Sequence, residues 1–547
     1  MFGPPAPQVT LEQFEIEYRG RHLIHAAVDH WAALRPGDIA ILNASRGTAL
    51  TWAELQRGSM ALAAELSRMG FRKGDYLPAS LPLLNEHILL EYACFRLGVI
   101  HAPLDIRLQP AEVLRCLGLI HARGYAFHFA ALGEAVHRHC DSVEHLIQLA
   151  PPGECIAGAV SFADVMARAA SGAATVPSDV TERDGAQVIF TTGSTGSPKP
   201  ALLSHRGIAC QNLCLGTAFH FTPEQRVLCN LPASHVGGQA EVLMTTLFMG
   251  GTAVTLEVFD PVKSLDAMER LGVTLIGQIP AMFQLEWRTA DYARRNLASL
   301  RTAVYGGQAV PRPFLDEMLK MAPQISTGLG LTETSGFCTY TALTGDAGEL
   351  ARGIGWAMPA YPMSIRQPMN GDGSAGAEVS AGEIGHVCFS GPQTFLGYVN
   401  DPEATAATLS TDGWLYTGDM GRVDQHGLHF SGRAKWVLKP SGYQVFPGDV
   451  ETHFSSLVAN IGVVGHPHRL WSEGIIAFVE KHPGADLTEA ALRKHARSLT
   501  AYMRPLHYVI LEPGAMPLNR TAKVDVVRLQ ELAKEEVARL RQRGRWD

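Results

Sequence analysis

Helical and strand-like patterns alternate along most of the chain. In residues 76–108, YLPASLPLLNEHILLEYACFRLGVIHAPLDIRL, an apolar stretch gives way to a long amphipathic segment and then to a short strand-like run, VIHAPL. Such alternation predicts layered α/β domains. From Gly427 the chain turns strand-rich. It then alternates again through IGVVGHPH, EGIIAFVEKH, a helix over 488–500 and YVILEPGAMPLNRTAK, so roughly the last hundred residues form a separate small α+β domain. Residues 155–175, rich in Ala, Gly and Ser, read as surface helix and linker. The closing LQELAKEEVARLRQRGRW, with mixed charges and leucines at helical spacing, reads as a solvated terminal helix that offers a homodimer contact.

One segment carries chemistry on its face. Residues 190–200 read FTTGSTGSPKP: Gly193 and Gly196 let backbone approach a ligand, and Thr191, Thr192, Ser194 and Thr195 bring hydroxyl donors suited to phosphate oxygens. A Walker-type loop needs glycine, lysine and serine or threonine in succession at the start of a helix. Here Pro198 and Pro200 flank Lys199, which removes two amides and favours an extended chain, so kinase and P-loop readings lose ground.

With 547 residues and 46% hydrophobic content the chain buries large cores and divides into more than one domain. A net charge of -7 offers no basic stripe for nucleic acid. No apolar run is long enough to span a bilayer, and the start of the chain lacks the pattern of a signal peptide, so a cytoplasmic enzyme without membrane insertion is expected. The nine cysteines are scattered without metal-ligand spacing; Cys210 and Cys214, one helical turn apart, read as packing.

The 190–200 run resembles the phosphate-binding loop of the adenylate-forming enzymes, the superfamily of acyl-CoA synthetases, peptide-synthetase adenylation domains and luciferases. The resemblance continues almost end to end, through LTWAELQRGSMALAAEL, RLGVIHAPLDIRL, NLPASHVGGQAE, YGGQAV, GLGLTETSG, GWLYTGDMG, GRAKWVLKPSGYQV and PLNRTAK. It implies a large N-terminal domain of layered α/β subdomains over 1–434 holding the ATP and acyl sites. A small mobile C-terminal α+β domain over 435–547 would follow, with the chain bending at Lys435.

Site roles follow from the same resemblance. Thr191, Thr192, Gly193, Ser194, Thr195, Gly196 and Lys199 would hold phosphates. Gly306, Gly307 and Gln308 belong to the turn against which adenine lies. Leu329, where relatives generally carry a stacked aromatic, would give an apolar contact. Thr332 would bond the α-phosphate and Glu333 would hold magnesium, a hard cation that takes carboxylate oxygen and shares its shell with phosphates and water. Asp419 would accept the ribose hydroxyls, Arg433 would reach the ribose and phosphate side, and Lys439 lies in a segment like that of 4-coumarate:CoA ligases. Lys523 would enter the active site in one domain orientation, and His235 would stand beside the acyl site.

The implied reaction makes an inert carboxylate electrophilic: acid and ATP give an acyl-adenylate and pyrophosphate, and the thiol of coenzyme A then displaces AMP. No aspartate lies in residues 226–239, where amino-acid-activating domains bind an α-amine. The expected acyl lining, VLCNLPASHVGG, IGQIPAMF and VYGGQ, is largely apolar. Both favour a fatty, alicyclic or aryl acid. Two alternatives stand beside this reading: an enzyme that passes its acyl group to an acyl carrier protein or an internal hydroxyl, and a non-catalytic nucleotide-binding protein.

Overall fold

The computed structural model describes residues 3–172, 176, 179–192, 198–519 and 524–547. The chain forms two compact units: Met1–Gly306 with Leu315–Met363 and Phe389–Leu415, and Gly307–Phe314 with Ser364–Cys388 and Tyr416–Asp547.

The first unit contains two large sheets. One has seven strands in the order Gln324–Thr327, Thr302–Tyr305, Leu275–Gln278, Arg226–Cys229, Thr252–Thr255, Ile39–Asn43 and Thr48–Thr51, parallel until the last, which folds back antiparallel. The other has eight, in the order Gly397–Tyr398, Pro198–Ser204, Gly185–Thr192, Ile100–Pro103, Tyr76–Ser80, Gly124–Phe127, His145–Gln148 and Ala159–Ser161. Its first two pairings are antiparallel.

Side-chain alternation with period two explains why the eight-stranded sheet is covered on both faces. Ala126 and Ile189 join one core, while Tyr125, Phe127 and Val188, their chain neighbours, join another with helix Pro110–Ile120. The first core runs without a break into the seven-stranded sheet through helices Trp52–Arg68, Asn85–Leu97 and His205–Ala218. The segment expected to be amphipathic, Asn85–Leu97, is buried from His87 to Leu97 on every side, because the inter-sheet layer has no solvent face. Each large apolar side chain enclosed there contributes roughly 1.5–3 kcal/mol. Cys210 and Cys214 are buried in that layer, as ordinary packing requires. The Ala/Gly/Ser-rich stretch forms strand Ala159–Ser161 and helix Phe162–Ser171, which buries Phe162, Val165 and Ala169.

The second unit is built on two sheets. Strands Met363–Arg366, Gly385–Ser390, Trp414–Asp424 and Gly427–Arg433 form one, and the last two make a hairpin. The other pairs Asn460–His468 antiparallel with Ser472–Glu480, against which His507–Leu511 runs parallel. Val463, Ile475, Ala477 and Val479 face one core; Val464, Ile476 and Phe478 face the other. The terminal helix Val526–Gln542 corrects the expectation of a solvated element. Leu529, Ala533, Val537 and Leu540 are buried against that second core, so an apolar stripe was present beneath the dense charge. Among the described residues no helix is long and apolar enough to cross a membrane.

Candidate active site

Phosphate chemistry was expected where strand Gly185–Thr192 leads into Pro198–Ser204. Lys199 is extended as its two prolines dictate, paired opposite Thr191 in an antiparallel ladder. Gly193, Ser194, Thr195 and Gly196 lie outside the described residues, as does the side chain of Thr192. Strand Gly397–Tyr398 pairs on the other side of Pro198–Ser204, with Tyr398 opposite Ala201. That register sets the Tyr398 ring 5.0 Å below the Lys199 ammonium. The Tyr398 hydroxyl donates to Glu333 Oε1 at 2.6 Å.

Glu333 sits in a single tight turn, Thr332–Thr334, whose conformation is over-determined. The Thr334 hydroxyl lies between the carbonyls of Leu331 and Gly336, at 3.0 and 2.7 Å, and accepts from the Leu331 amide. Ser335 is left-handed (φ 56°) and donates to the carbonyl of Gln393. The Phe395 amide donates to the carbonyl of Glu333 at 3.0 Å. Thr332 and Glu333 stay half-buried while Thr334 and Ser335 are fully enclosed. The turn therefore presents one hydroxyl and one carboxylate from a rigid base.

Gly328, at the head of this loop, has to be glycine: a Cβ would stand 1.9 Å from the carbonyl oxygen of Thr339. Leu329 is held by its backbone, donating to Thr339 Oγ1 and accepting from the Cys338 amide, with its side chain half-exposed. Tyr305 is 6% exposed, and burial pushes its phenol up to about 12. Gly306 after it is half-buried; Gly307 (φ 98°) and Gln308, in the second unit, are exposed.

His235 is half-buried at the entry to a π-helical segment, Gly237–Met244, in which the Glu241 amide reaches back to the Val236 carbonyl. Such i→i+5 turns are rare and concentrate at functional sites. Asp105 lies within electrostatic reach of His235. Burial alone would raise the Asp105 carboxyl, but hydrogen bonds from Arg107, reinforced by the charges of Arg107 and His235, hold it below the usual range. The segments expected to give an apolar acyl lining also bury Asn230, Ser234 and Gln278.

In the second unit, Asp419 and Arg433 are directly opposed across the hairpin. A bulge at Ser431 shifts the ladder just before this pair, a device that re-aims side chains beside functional sites. Arg433 Nε lies 2.8 Å from Asp419 Oδ1, within ion-pair range though outside the angles of a hydrogen bond, and Arg433 Nη1 donates to the Thr417 carbonyl. The Asp419 side chain is 2% exposed and that of Arg433 45%. A buried carboxylate needs such a partner. Lys439 is exposed, and its amide donates to Glu473. Lys435 places its ammonium 4.7 Å over the Trp436 ring. Lys523 lies outside the described residues.

Tyr398, Glu241 and Asp105 escaped the reading of the sequence. A lone tyrosine or acid carries no spacing signal; strand pairing delivers Tyr398, while Glu241 comes from the π-helical segment Gly237–Met244 and Asp105 follows strand Ile100–Pro103.

Glu333 suits a magnesium ion. Such an ion is usually bound through one or two carboxylates, with substrate phosphates and water completing its shell. The described residues contain no group of three or more His, Cys, Asp or Glu that could enclose a metal by themselves.

Two stacked sheets and a pinned threonine–glutamate turn, followed by an Asp–Arg hairpin and a small α+β region, define the class of adenylate-forming enzymes. The chain belongs to the AMP-binding enzyme family: its model matches residues 28–399, and that of the AMP-binding enzyme C-terminal domain matches 454–523. A feruloyl-CoA synthase from Amycolatopsis sp is 32% identical over 447 residues, covering 78% of this chain and 82% of that protein. A fatty acid–[acyl-carrier-protein] ligase, ScoC, from Streptomyces coeruleorubidus is 29% identical over 87% of this chain and 90% of its own length. The ATP-bound crystal structure of MatB from Rhodopseudomonas palustris shares 25% identity at a TM-score of 0.83, covering 94% of this chain and 99% of that one.

Proposed function

We propose that this enzyme is an AMP-forming acid:CoA ligase acting on a fatty, alicyclic or aryl carboxylic acid. The observation that carries the reading is the extended similarity to a feruloyl-CoA synthase, in a chain that keeps the threonine, glutamate, aspartate and arginine expected of adenylation.

The carboxylate oxygen of the acid bonds to the α-phosphorus of ATP, the bond from that phosphorus to the bridging oxygen breaks, and pyrophosphate leaves. Charge builds on phosphoryl oxygens, so positioning and electrostatic stabilisation supply the catalysis. In this reading Thr191 and Thr192, with the following loop Gly193–Gly196, and Lys199 hold the phosphates, and the Thr332 hydroxyl bonds the α-phosphate. Glu333 is the magnesium ligand; the ion, when bound, neutralises phosphate charge. Asp419 accepts the ribose hydroxyls, which suits an acceptor-only carboxylate, and Arg433 orients it. Gly306, Gly307, Gln308 and Leu329 border adenine, His235 borders the acid, and Lys439 and Lys523 act from the C-terminal part. The thiol of CoA then attacks the acyl carbonyl, the acyl–phosphate bond breaks, and AMP leaves. The division into 1–434 and 435–547, with Lys435 as the bend, belongs to the same reading, as does a cytoplasmic location where ATP and CoA are supplied.

The similarity to an acyl-carrier-protein ligase favours a carrier thiol as the second candidate acceptor. A panel of carboxylic acids assayed for AMP release with and without CoA tests both. Acid-dependent AMP that rises with CoA is the expected result, and CoA-independent turnover would select the carrier. Formation of ADP, or of no product from any acid, would defeat the ligase reading.

A further inference from the structure

Gln211, on helix His205–Ala218, is fully buried. The orientation of its amide follows from its neighbours. Asn212 turns its Nδ2 to the carbonyl of Ala240 at 2.6 Å, and a carbonyl only accepts, so this is the donor end of Asn212. The same nitrogen donates to Gln211 Oε1 at 2.9 Å. Gln211 Nε2 therefore points the other way, and there it has no hydrogen-bond partner. Buried amide donors are rarely left so unless a ligand or water satisfies them.

Nε2 packs closely on Gly336, where only a glycine leaves room for it. A Cβ on Gly336 (φ 125°) would stand 3.0 Å from Gln211 Nε2 and 2.7 Å from Glu241 Cγ. The Glu241 side chain continues past Gly330, whose Cβ would lie 2.9 Å from Oε1, and past Gly237, 3.3 Å from Oε2. Two pieces of chain meet at this point: the segment from His235 to Glu241 beside the acyl site, and the loop that carries Thr332 and Glu333.

We propose that Gln211 is a specificity-determining donor at the acyl end, and that the acid carries an uncharged oxygen acceptor, a hydroxyl or keto group, on its chain or ring. This inference rests on the acid:CoA ligase reading and names a narrower substrate class within it.

The test compares matched pairs of acids, such as hydroxyaryl and ketoalkyl acids against parents lacking the oxygen, by kcat/KM for acid-dependent pyrophosphate release. The wild-type enzyme should favour the oxygenated member of at least one pair by about 10- to 100-fold, since only that member satisfies the amide. In Gln211→Leu and Gln211→Met, each checked by thermal melting, the ratio should fall to within about threefold of unity. A wild-type ratio near one for every pair, or a ratio that survives both substitutions, would overturn the proposal. Should neither variant fold, the wild-type ratio alone decides. Turnover without discrimination defeats this inference only, whereas absence of AMP from every acid defeats the ligase reading beneath it.

Discussion

Tyr398 donates its phenolic hydrogen to Glu333 Oε1 at 2.6 Å, across a separation of 65 residues. The contact orients a carboxylate whose turn is already fixed by its backbone, and the same ring lies under the Lys199 ammonium. In the proposed function Glu333 is the magnesium ligand, and groups that orient a metal ligand typically affect metal affinity or activity by 10- to 100-fold. Tyr398→Phe keeps the ring and removes the donor. The magnesium concentration for half-maximal pyrophosphate exchange should rise by about tenfold or more, with little change in melting temperature. An unaltered magnesium requirement would mean that the turn orients Glu333 unaided.

Asp419 is enclosed and paired with Arg433, and in the proposed function it accepts from ribose. Asp419→Ala should raise KM for ATP by about 10- to 100-fold, the cost of one or two hydrogen bonds to a charged group. It should also erase the preference for ATP over 2′-deoxy-ATP. Steady-state kinetics with both nucleotides checks this; a preference retained in the variant would remove Asp419 from the ribose site.

In the proposed function Lys523, entering the active site in one domain orientation, serves the adenylation step and not the thioester step. Lys523→Ala should cut ATP–pyrophosphate exchange by about 10²–10³-fold, the usual scale for one preorganised charge contact. Thioester formation from a pre-made acyl-adenylate and CoA should slow far less. Equal losses in the two assays would contradict a step-specific role.

A stability effect follows from Glu286, in helix Pro280–Trp287. Burial pushes its carboxyl from 4.5 up to about 8, opposed only by hydrogen bonds such as that from Gln278 at 2.9 Å. The folded protein therefore holds a proton that the unfolded chain has released between about pH 5 and 8. The unfolded state binds fewer protons in that window, so this group's contribution to stability declines as pH rises and levels off above the folded value. Glu286→Gln mimics the protonated form and removes the decline. Relative to wild type the variant should gain with rising pH, by on the order of 4 kcal/mol above pH 8. Denaturant unfolding at pH 5, 7 and 9 measures it; a pH-independent difference would show that Glu286 does not retain its proton.

The residues that named themselves in the sequence were those with a local signal. Lys199 between two prolines had to be extended, and it is. Thr332 and Glu333 were legible through the run that contains them, and the structure gives that run a reason: Thr334 and Ser335 lock the turn while Gly328 lets the chain pass Thr339. Burial was less legible. Asn85–Leu97 was expected to show a polar face and does not, and the terminal helix was expected to be solvated although four of its residues are enclosed.

The order of the motifs, the alternation of strands and helices and the net charge of -7 are written in the linear chain, because each depends on composition or on neighbours a few residues apart. Which side chains meet was decided by folding. Tyr398 reaches Glu333 through the pairing of Gly397–Tyr398 on Pro198–Ser204, and Gln211 turns its amide toward Gly336 because Asn212 occupies its other end. Strand register and buried polar partners couple residues far apart in the chain, so no periodicity announces them.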